Sequence, residues 1–166
     1  KEKRGKGNGR GVGLGCSAFV CGVNNMMHQG ASAIVEIHRD GGASLFTGVV
    51  EMGQGSHTAL AQIAAEELGM VAEQVRVFSG DTDTTPIVPG TFGSGGIFRG
   101  GTAVRRAAID ARTKIFEAIS AKLKAKPDDL ELKDGKIFLK ENHERWIPFK
   151  EALRIMQYDD KPIPVV

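Results

Sequence analysis

The sequence predicts an α/β (α+β) domain, a mixed sheet with hairpins packed by two main helices. Three observations predict it. Ala31, Ala33, Val35 and Ile37 alternate with more polar residues, the period of a half-buried strand. Leu60, Ile63, Ala64 and Leu68 recur at helical spacing, as do Val104, Ala108, Ala111, Ile115, Ile119 and Leu123. Glycine-rich loops precede both helical stretches, and the 22 glycines are concentrated before Gly101. Apolar residues make up 41% and charged residues 25%, which suits one domain with a buried core.

The elements follow in chain order. Residues 1–10 read as a basic, solvated linker rather than a nucleic-acid arm, because aromatic residues are not interleaved with the charges. Residues 11–126 read as the core, and residues 127–166 as a hairpin plus short helix continuing the same domain. Gly11 to Val20 is a glycine-rich apolar run, expected as a strand. Ala31 to His38 is the next strand; Asp40-Gly41-Gly42 turns it into Leu45 to Val50, a hairpin. Leu60 to Leu68 is a helix with Gly69 at its C-terminal end. Val75 to Phe78 is strand-like and leads into the turn Ser79-Gly80-Asp81-Thr82-Asp83, where a turn role for the carboxylates outweighs cation binding. Thr102 to Lys124 is the strongest helix, with Arg105, Arg112 and Lys122 among its polar positions. Asp134-Gly135 between two apolar runs signals a type I′ hairpin, and Pro148 opens a short helix over Phe149 to Met156.

Several function classes lose support. A net charge of +2 is too small to argue for nucleic acid or an acidic membrane. No stretch approaches the ~20 apolar residues of a membrane-spanning helix. Cys16 and Cys21 do not complete a zinc or iron–sulfur ligand set and are expected as small buried side chains in a reducing compartment. His28, His38 and His143 lack companions at metal spacing. No Walker spacing and no dinucleotide fingerprint occurs.

The chemistry concentrates in two loops. Glu51-Met52-Gly53-Gln54-Gly55-Ser56-His57-Thr58 joins a strand to a helix. Glycines there let a ligand approach the main chain, and the helix start offers N–H groups suited to a phosphate. Gln54 can donate and accept between them. Ser56 is by itself an ordinary N-cap type, and His57 is either a ligand contact or an exposed first-turn residue. The second loop, Pro89-Gly90-Thr91-Phe92-Gly93-Ser94-Gly95-Gly96, precedes the long helix. Both loops are expected on one edge of the sheet, aimed at one ligand.

These segments, with Gln62-Ile63-Ala64-Ala65-Glu66-Glu67-Leu68-Gly69 and Gly80-Asp81-Thr82-Asp83 between them, resemble the molybdopterin-binding large subunit of the xanthine dehydrogenase and aldehyde oxidase family. The likeness runs from about Gly11 to Ala125. It implies a molybdenum hydroxylase that places water-derived oxygen on an aldehyde, N-heterocycle or aromatic acyl substrate. Electrons would leave through iron–sulfur clusters to FAD on other domains or subunits. The resemblance places Gln54 beside the metal centre as a supporting residue, with no direct metal ligand in this chain. It places Gly53, Gly55, Ser94, Gly95 and Gly96 beside the pterin. If the cofactor is molybdopterin cytosine dinucleotide, its phosphates would suit Gly55, Ser56, His57 and Thr58. A cytoplasmic setting is implied, a periplasmic one being the alternative.

The chain also departs from the family pattern. Ser94-Gly95-Gly96 stands where many relatives have Ser-Arg and a small residue, so an arginine contact is lost at Gly95, with Arg99 as a substitute. The family's catalytic glutamate lies in a Gly-Glu-X-Pro type motif, and no Gly-Glu dipeptide occurs here. The upstream Phe-Gly-Gly loop is missing too. With Lys1 as first residue and an apolar end at Pro162 to Val166, these departures lead to the expectation of a fragment. The fragment is expected to need the rest of the large subunit and to be inactive alone. Two other readings stand beside this one: a degenerate or isolated domain without cofactor, and an unrelated nucleotide-binding module.

Overall fold

The computed structural model describes residues 11–19, 21 and 30–158. The expected linker over 1–10, His28, and the end of the chain from 159 lie outside the described residues. Where Gly11 to Val20 was expected as a strand, residues 11–19 form no regular element. Val12, Leu14 and Phe19 are exposed, at 104%, 95% and 76%. With so many glycines and no strand beside it among the described residues, the apolar run has nothing there to pair with. The cysteines follow from this. Cys16 and Cys21 are exposed free thiols, not the buried side chains expected, because their segment joins no layer.

The first sheet is mixed. Strands β1 (Ala33–Ile37) and β2 (Ala43–Thr47) form the expected antiparallel hairpin, with Val35 opposite Leu45. Its turn is closed by His38 N–H donating to Gly42 O at 2.8 Å, and Asp40 caps the Gly42 N–H. Helix α1 (Ser56–Glu67) then crosses to β3 (Val75–Phe78), which lies parallel to β2. The strand order is β1-β2-β3. Pleat alternation turns Val35, Ile37, Ala43, Leu45, Thr47 and Val75 inward, all buried. On the other face Phe46 stacks on Phe78 at 5.0 Å between ring centres, and Arg76 lies over Phe78.

Helix α2 (Thr102–Leu123) follows a π-helical turn, Gly96–Gly101, and packs on α1 and β1. Its buried stripe of Val104, Ala107, Ala108, Ala111, Ile115, Phe116 and Ile119 includes five of the six residues expected from the periodicity. The small residues allow close approach to α1. Arg105 and Arg112, both expected as polar positions, clamp Glu67 at 2.7 and 2.8 Å, and Arg112 also donates to Glu67 O. Two cations at the negative end of α1 suit its dipole. The same end of α1 closes in a Schellman motif: Met70 N–H reaches Ala65 O, Gly69 N–H reaches Glu66 O, and Gly69 has φ +56°.

A second, antiparallel sheet comprises β4 (Leu130–Lys133), β5 (Lys136–Leu139) and β6 (Asn142–Pro148), in that order. Asp134 and Gly135 both have positive φ, as a type I′ turn requires. Strand β6 was not legible: its burial is almost wholly on the exposed side, so no alternation marks it. Pro148 ends that strand rather than opening the helix, and α3 begins at Phe149 and runs to Tyr158. One continuous hydrophobic cluster joins Leu45, Leu60, Ile115, Ile137 and Leu153 across both sheets and the three helices.

Candidate functional site

The two glycine loops meet, as the sequence predicts. Val50 N–H donates to Thr91 Oγ1 at 3.1 Å, bridging them. Gly100, in the π-helical turn, is pressed onto the first loop's strand exit: a Cβ there would lie 2.4 Å from Val49 Cγ2. Only glycine permits that approach. Together the loops line a cleft of about 390 Å³. Gln54, Ser56, Ser94, Gly95 and Gly96 contribute to it, with Phe19, Met52, Phe92 and Ile97 supplying apolar wall and rim. Gly53 and Gly55, both at positive φ, have open space beside them.

Not every expected residue joins this cleft. His57 and Thr58 border a separate hollow with Ala61, Glu73 and Val77. His57 is tied down there, its Nε2 2.7 Å from Ser79 Oγ, so it pins the start of α1 to the exit of β3. Ser56 is buried in the first turn and is not the N-cap, a position held by Gly55 in the left-handed region.

The residue that organises the loop is Glu51, which sequence reasoning missed. Its carboxylate accepts from Gly53 N–H at 2.8 Å, Gly55 N–H at 2.9 Å and His57 N–H at 3.1 Å, with Ser56 Oγ at 3.3 Å. These hydrogen bonds, that from His57 foremost and that from Gly55 next, hold its carboxyl well down, from the ordinary 4.5 to about 2. The Glu51 carboxylate therefore takes up N–H groups at the start of α1. The available signal was an acidic residue just ahead of a helix start, which the dipole favours.

Gln54 is also committed to the loop. Its Oε1 accepts from Met52 N–H at 2.6 Å, while its Nε2 donates to Val50 O at 3.0 Å and Ser56 Oγ at 3.1 Å. The amide thus braces the turn from within while bordering the cleft.

A depressed carboxyl pKa carries a prediction. Glu51 contributes stability that is fully present above its unfolded pKa and is lost as pH falls through its folded one. The first turn of α1 is therefore expected to loosen between pH 4.5 and about 2, seen as faster exchange of the His57 amide. Glu51→Gln is expected to lower Tm by roughly 2 to 6 °C and to abolish that pH dependence. An unchanged acid limb in the variant would assign the acid sensitivity elsewhere.

On the second loop, Ser94 sits at φ +58° and its Oγ donates to Cys21 Sγ at 3.2 Å. Gly95 is buried, and the Arg99 guanidinium lies directly over it: a Cβ on Gly95 would be 2.1 Å from Arg99 Nη2. Arg99 thus fills the space that a side chain at residue 95 would take. The guanidinium carbon also lies over the Phe92 ring, 5.3 Å from its centre.

Asp81 behaves as a turn residue. It accepts the Asp83 N–H at 2.9 Å, the leading cause of its lowered pKa. Among the described residues no group of three or more His, Cys, Asp or Glu comes together to hold a metal ion. Among them, too, no helix is long and apolar enough to cross a membrane.

Known proteins are similar to this chain in sequence and fold. The sequence model of the molybdopterin cofactor-binding domain matches residues 1–164. The chain is 37% identical over 142 residues to the 6-hydroxypseudooxynicotine dehydrogenase complex subunit gamma of Paenarthrobacter nicotinovorans, covering 84% of this chain and 17% of that protein. It is 34% identical over 136 residues to the putative xanthine dehydrogenase molybdenum-binding subunit XdhA of Escherichia coli K12, covering 81% of this chain and 18% of that protein. Its fold superposes on quinoline 2-oxidoreductase from Pseudomonas putida 86 with a TM-score of 0.74 at 31% identity, over 78% of this chain and 16% of that one. The chain therefore spans less than a fifth of the length of these relatives. Two glycine loops closed around one cleft, in a sequence matched along nearly its whole length, place the chain in the molybdopterin cofactor-binding domain family of the xanthine and aldehyde dehydrogenase type.

Proposed function

We propose that this chain forms one wall of the cofactor site of a molybdenum hydroxylase. The observation that carries the reading is the convergence of the Gly53 and Gly93 loops on a single cleft. The residues suit a pterin. Open space beside Gly53 and Gly55 admits a flat group close to the main chain, and Phe92 and Ile97 give it apolar contact. Ser94, Gly95, Gly96 and the Gln54 loop are the groups that would hold it. When bound, the cofactor supplies the two-electron redox chemistry. The chain's own residues shape the cleft, brace it through Glu51 and Gln54, and exclude water with Met52 and Phe92.

The finer reading is hydroxylation of an aldehyde, N-heterocycle or aromatic acyl compound with water-derived oxygen. The base and the other walls of the site would come from the rest of a large subunit, and electrons would pass to iron–sulfur and flavin partners. The cytosine dinucleotide form of the cofactor and a cytoplasmic setting belong to the same proposal. The relatives' names, a dehydrogenase complex subunit and a molybdenum-binding subunit among them, support a molybdenum oxidoreductase with partner subunits.

Metal analysis and pterin fluorescence on the purified protein carrying this chain test the reading. Equimolar molybdenum and pterin are expected, and a protein holding neither would overturn it. The 166-residue chain alone is expected to hold little molybdenum and to show no hydroxylase activity. Turnover of an aldehyde or N-heterocycle by it would show that the site is complete without further walls.

A further inference from the structure

We infer that Cys16 and Cys21 are a redox modification site: a thiol pair that a hydroperoxide closes into a disulfide, loosening the loop cleft as it closes. The effect on a bound pterin rests on the cofactor reading above; the thiol chemistry does not. Four observations lead there. The two cysteines, the only ones in the chain, stand five residues apart. Both are exposed free thiols, open to an oxidant in water. Cys21 is tied to the cleft, its Sγ accepting the Ser94 hydroxyl at 3.2 Å. Phe19, between the two cysteines, lines the same cleft with Ser94 and Gly95. The chain leading to Cys16 is unpacked: residues 11–19 form no regular element, and Gly11, Gly13 and Gly15 have open space beside them. In a reducing setting such a pair rests as thiols and responds when oxidant arrives.

The chemistry needs the two sulfurs and hydrogen peroxide. One thiolate attacks a peroxide oxygen; the S–O bond forms, the O–O bond breaks, and the other oxygen leaves as water. The second thiolate attacks the resulting sulfenic sulfur; the S–S bond forms, the S–O bond breaks, and a second water leaves. The two thiol protons complete the two waters, and the sulfurs give up the two electrons that reduce the peroxide. A dithiol reverses the change by exchange. Geometry sets the consequence. A disulfide holds its Cα atoms about 4.4–6.8 Å apart, so the four residues between the cysteines must fold into a turn. That turn disrupts no packed layer, because the segment joins none among the described residues. It does draw Phe19 off the cleft wall and Cys21 away from the Ser94 hydroxyl. Ser94, at φ +58°, loses its partner there, and the cleft loses an aromatic side.

The test uses the protein carrying this chain, treated with hydrogen peroxide, alkylated at its remaining thiols and cut with trypsin. Residues 11–39 leave as one peptide holding both cysteines, because Arg10 and Arg39 flank it and no Lys or Arg lies between. That peptide is expected to escape alkylation and to be lighter by two hydrogens, and dithiothreitol should restore both thiols. Pterin retained through gel filtration is expected to fall roughly 3- to 10-fold in the oxidised protein, the worth of a contact or two. Cys16→Ser, which blocks the disulfide and leaves the Ser94 contact in place, should keep its pterin in peroxide. Two alkylated cysteines after peroxide would overturn the inference. So would a disulfide that leaves pterin retention unchanged, or an equal loss of pterin from Cys16→Ser. If the wild-type protein carries no pterin yet forms the disulfide, the cofactor reading fails. The switch is then read from amide exchange over residues 91–96, expected to be faster in the oxidised form, and equal exchange would overturn it.

Discussion

Gln54→Ala is expected to lower turnover of the loaded enzyme by roughly 10- to 1000-fold with the fold kept, the range seen when a preorganised polar group is lost from a reacting site. The structure refines the reason. Both Nε2 hydrogens are directed at Val50 O and Ser56 Oγ, and Oε1 receives the Met52 N–H. The amide holds the loop in the shape that the cleft needs, and it reaches a bound ligand only by exchanging one of these bonds. Truncation leaves the Glu51 contacts to Gly53, Gly55 and His57 in place, so helix α1 should still start where it does. Molybdenum content measured in parallel separates two routes. Loss of metal in step with turnover means that Gln54 retains the cofactor, while full occupancy with low turnover means that it positions the reacting centre. Gln54→Glu sharpens the result, because it keeps an acceptor for Met52 but puts a carboxylate against Val50 O. A Gln54→Ala protein with wild-type occupancy and wild-type turnover would reduce Gln54 to a turn residue, and the functional reading of the loop would fall with it.

Gly69→Ala is expected to cost roughly 2 to 5 kcal/mol, a fall in Tm of about 5 to 15 °C. Two effects add. Residue 69 sits at φ +56°, where an L side chain is strained. Its Cβ would also stand 2.8 Å from the Leu132 carbonyl carbon and oxygen and 2.9 Å from Leu132 Cγ. Backbone cannot step aside cheaply there, because Gly69 O accepts the Gly135 N–H at 2.7 Å and so ties α1 to the turn of the second sheet. Gly135→Ala is the internal control. It has a similar φ, +67°, but open space around it, so it should show the strain alone, about 1 kcal/mol. Thermal or urea unfolding of both variants checks the pair. Equal losses would mean that the contact with Leu132 adds nothing.

The sequence by itself determined the elements that carry a period or a sharp turn. The β1–β2 hairpin, both long helices, β3 and the Asp134-Gly135 turn were all legible, because alternation, helical spacing and positive-φ residues are local signals. The two glycine loops and their family likeness were legible for the same reason, as ordered motifs along the chain. What only the tertiary structure decided was where charge and apolar surface ended up. The Gly11 run looked like a strand but has no partner among the described residues to complete its ladder, and Cys16 within it and Cys21 just after it are exposed. Strand β6 had no buried face to write a pattern and exists through its pairing with β5. Glu51 had no role legible in the sequence, because only the turn at Gly53 and Gly55 folds three N–H groups onto it. Arg99, in the π-helical turn that joins the loop to α2, came to lie over Gly95. Hydrogen-bond partners and charge placement depend on distances across the fold, and a sequence records only neighbours along the chain.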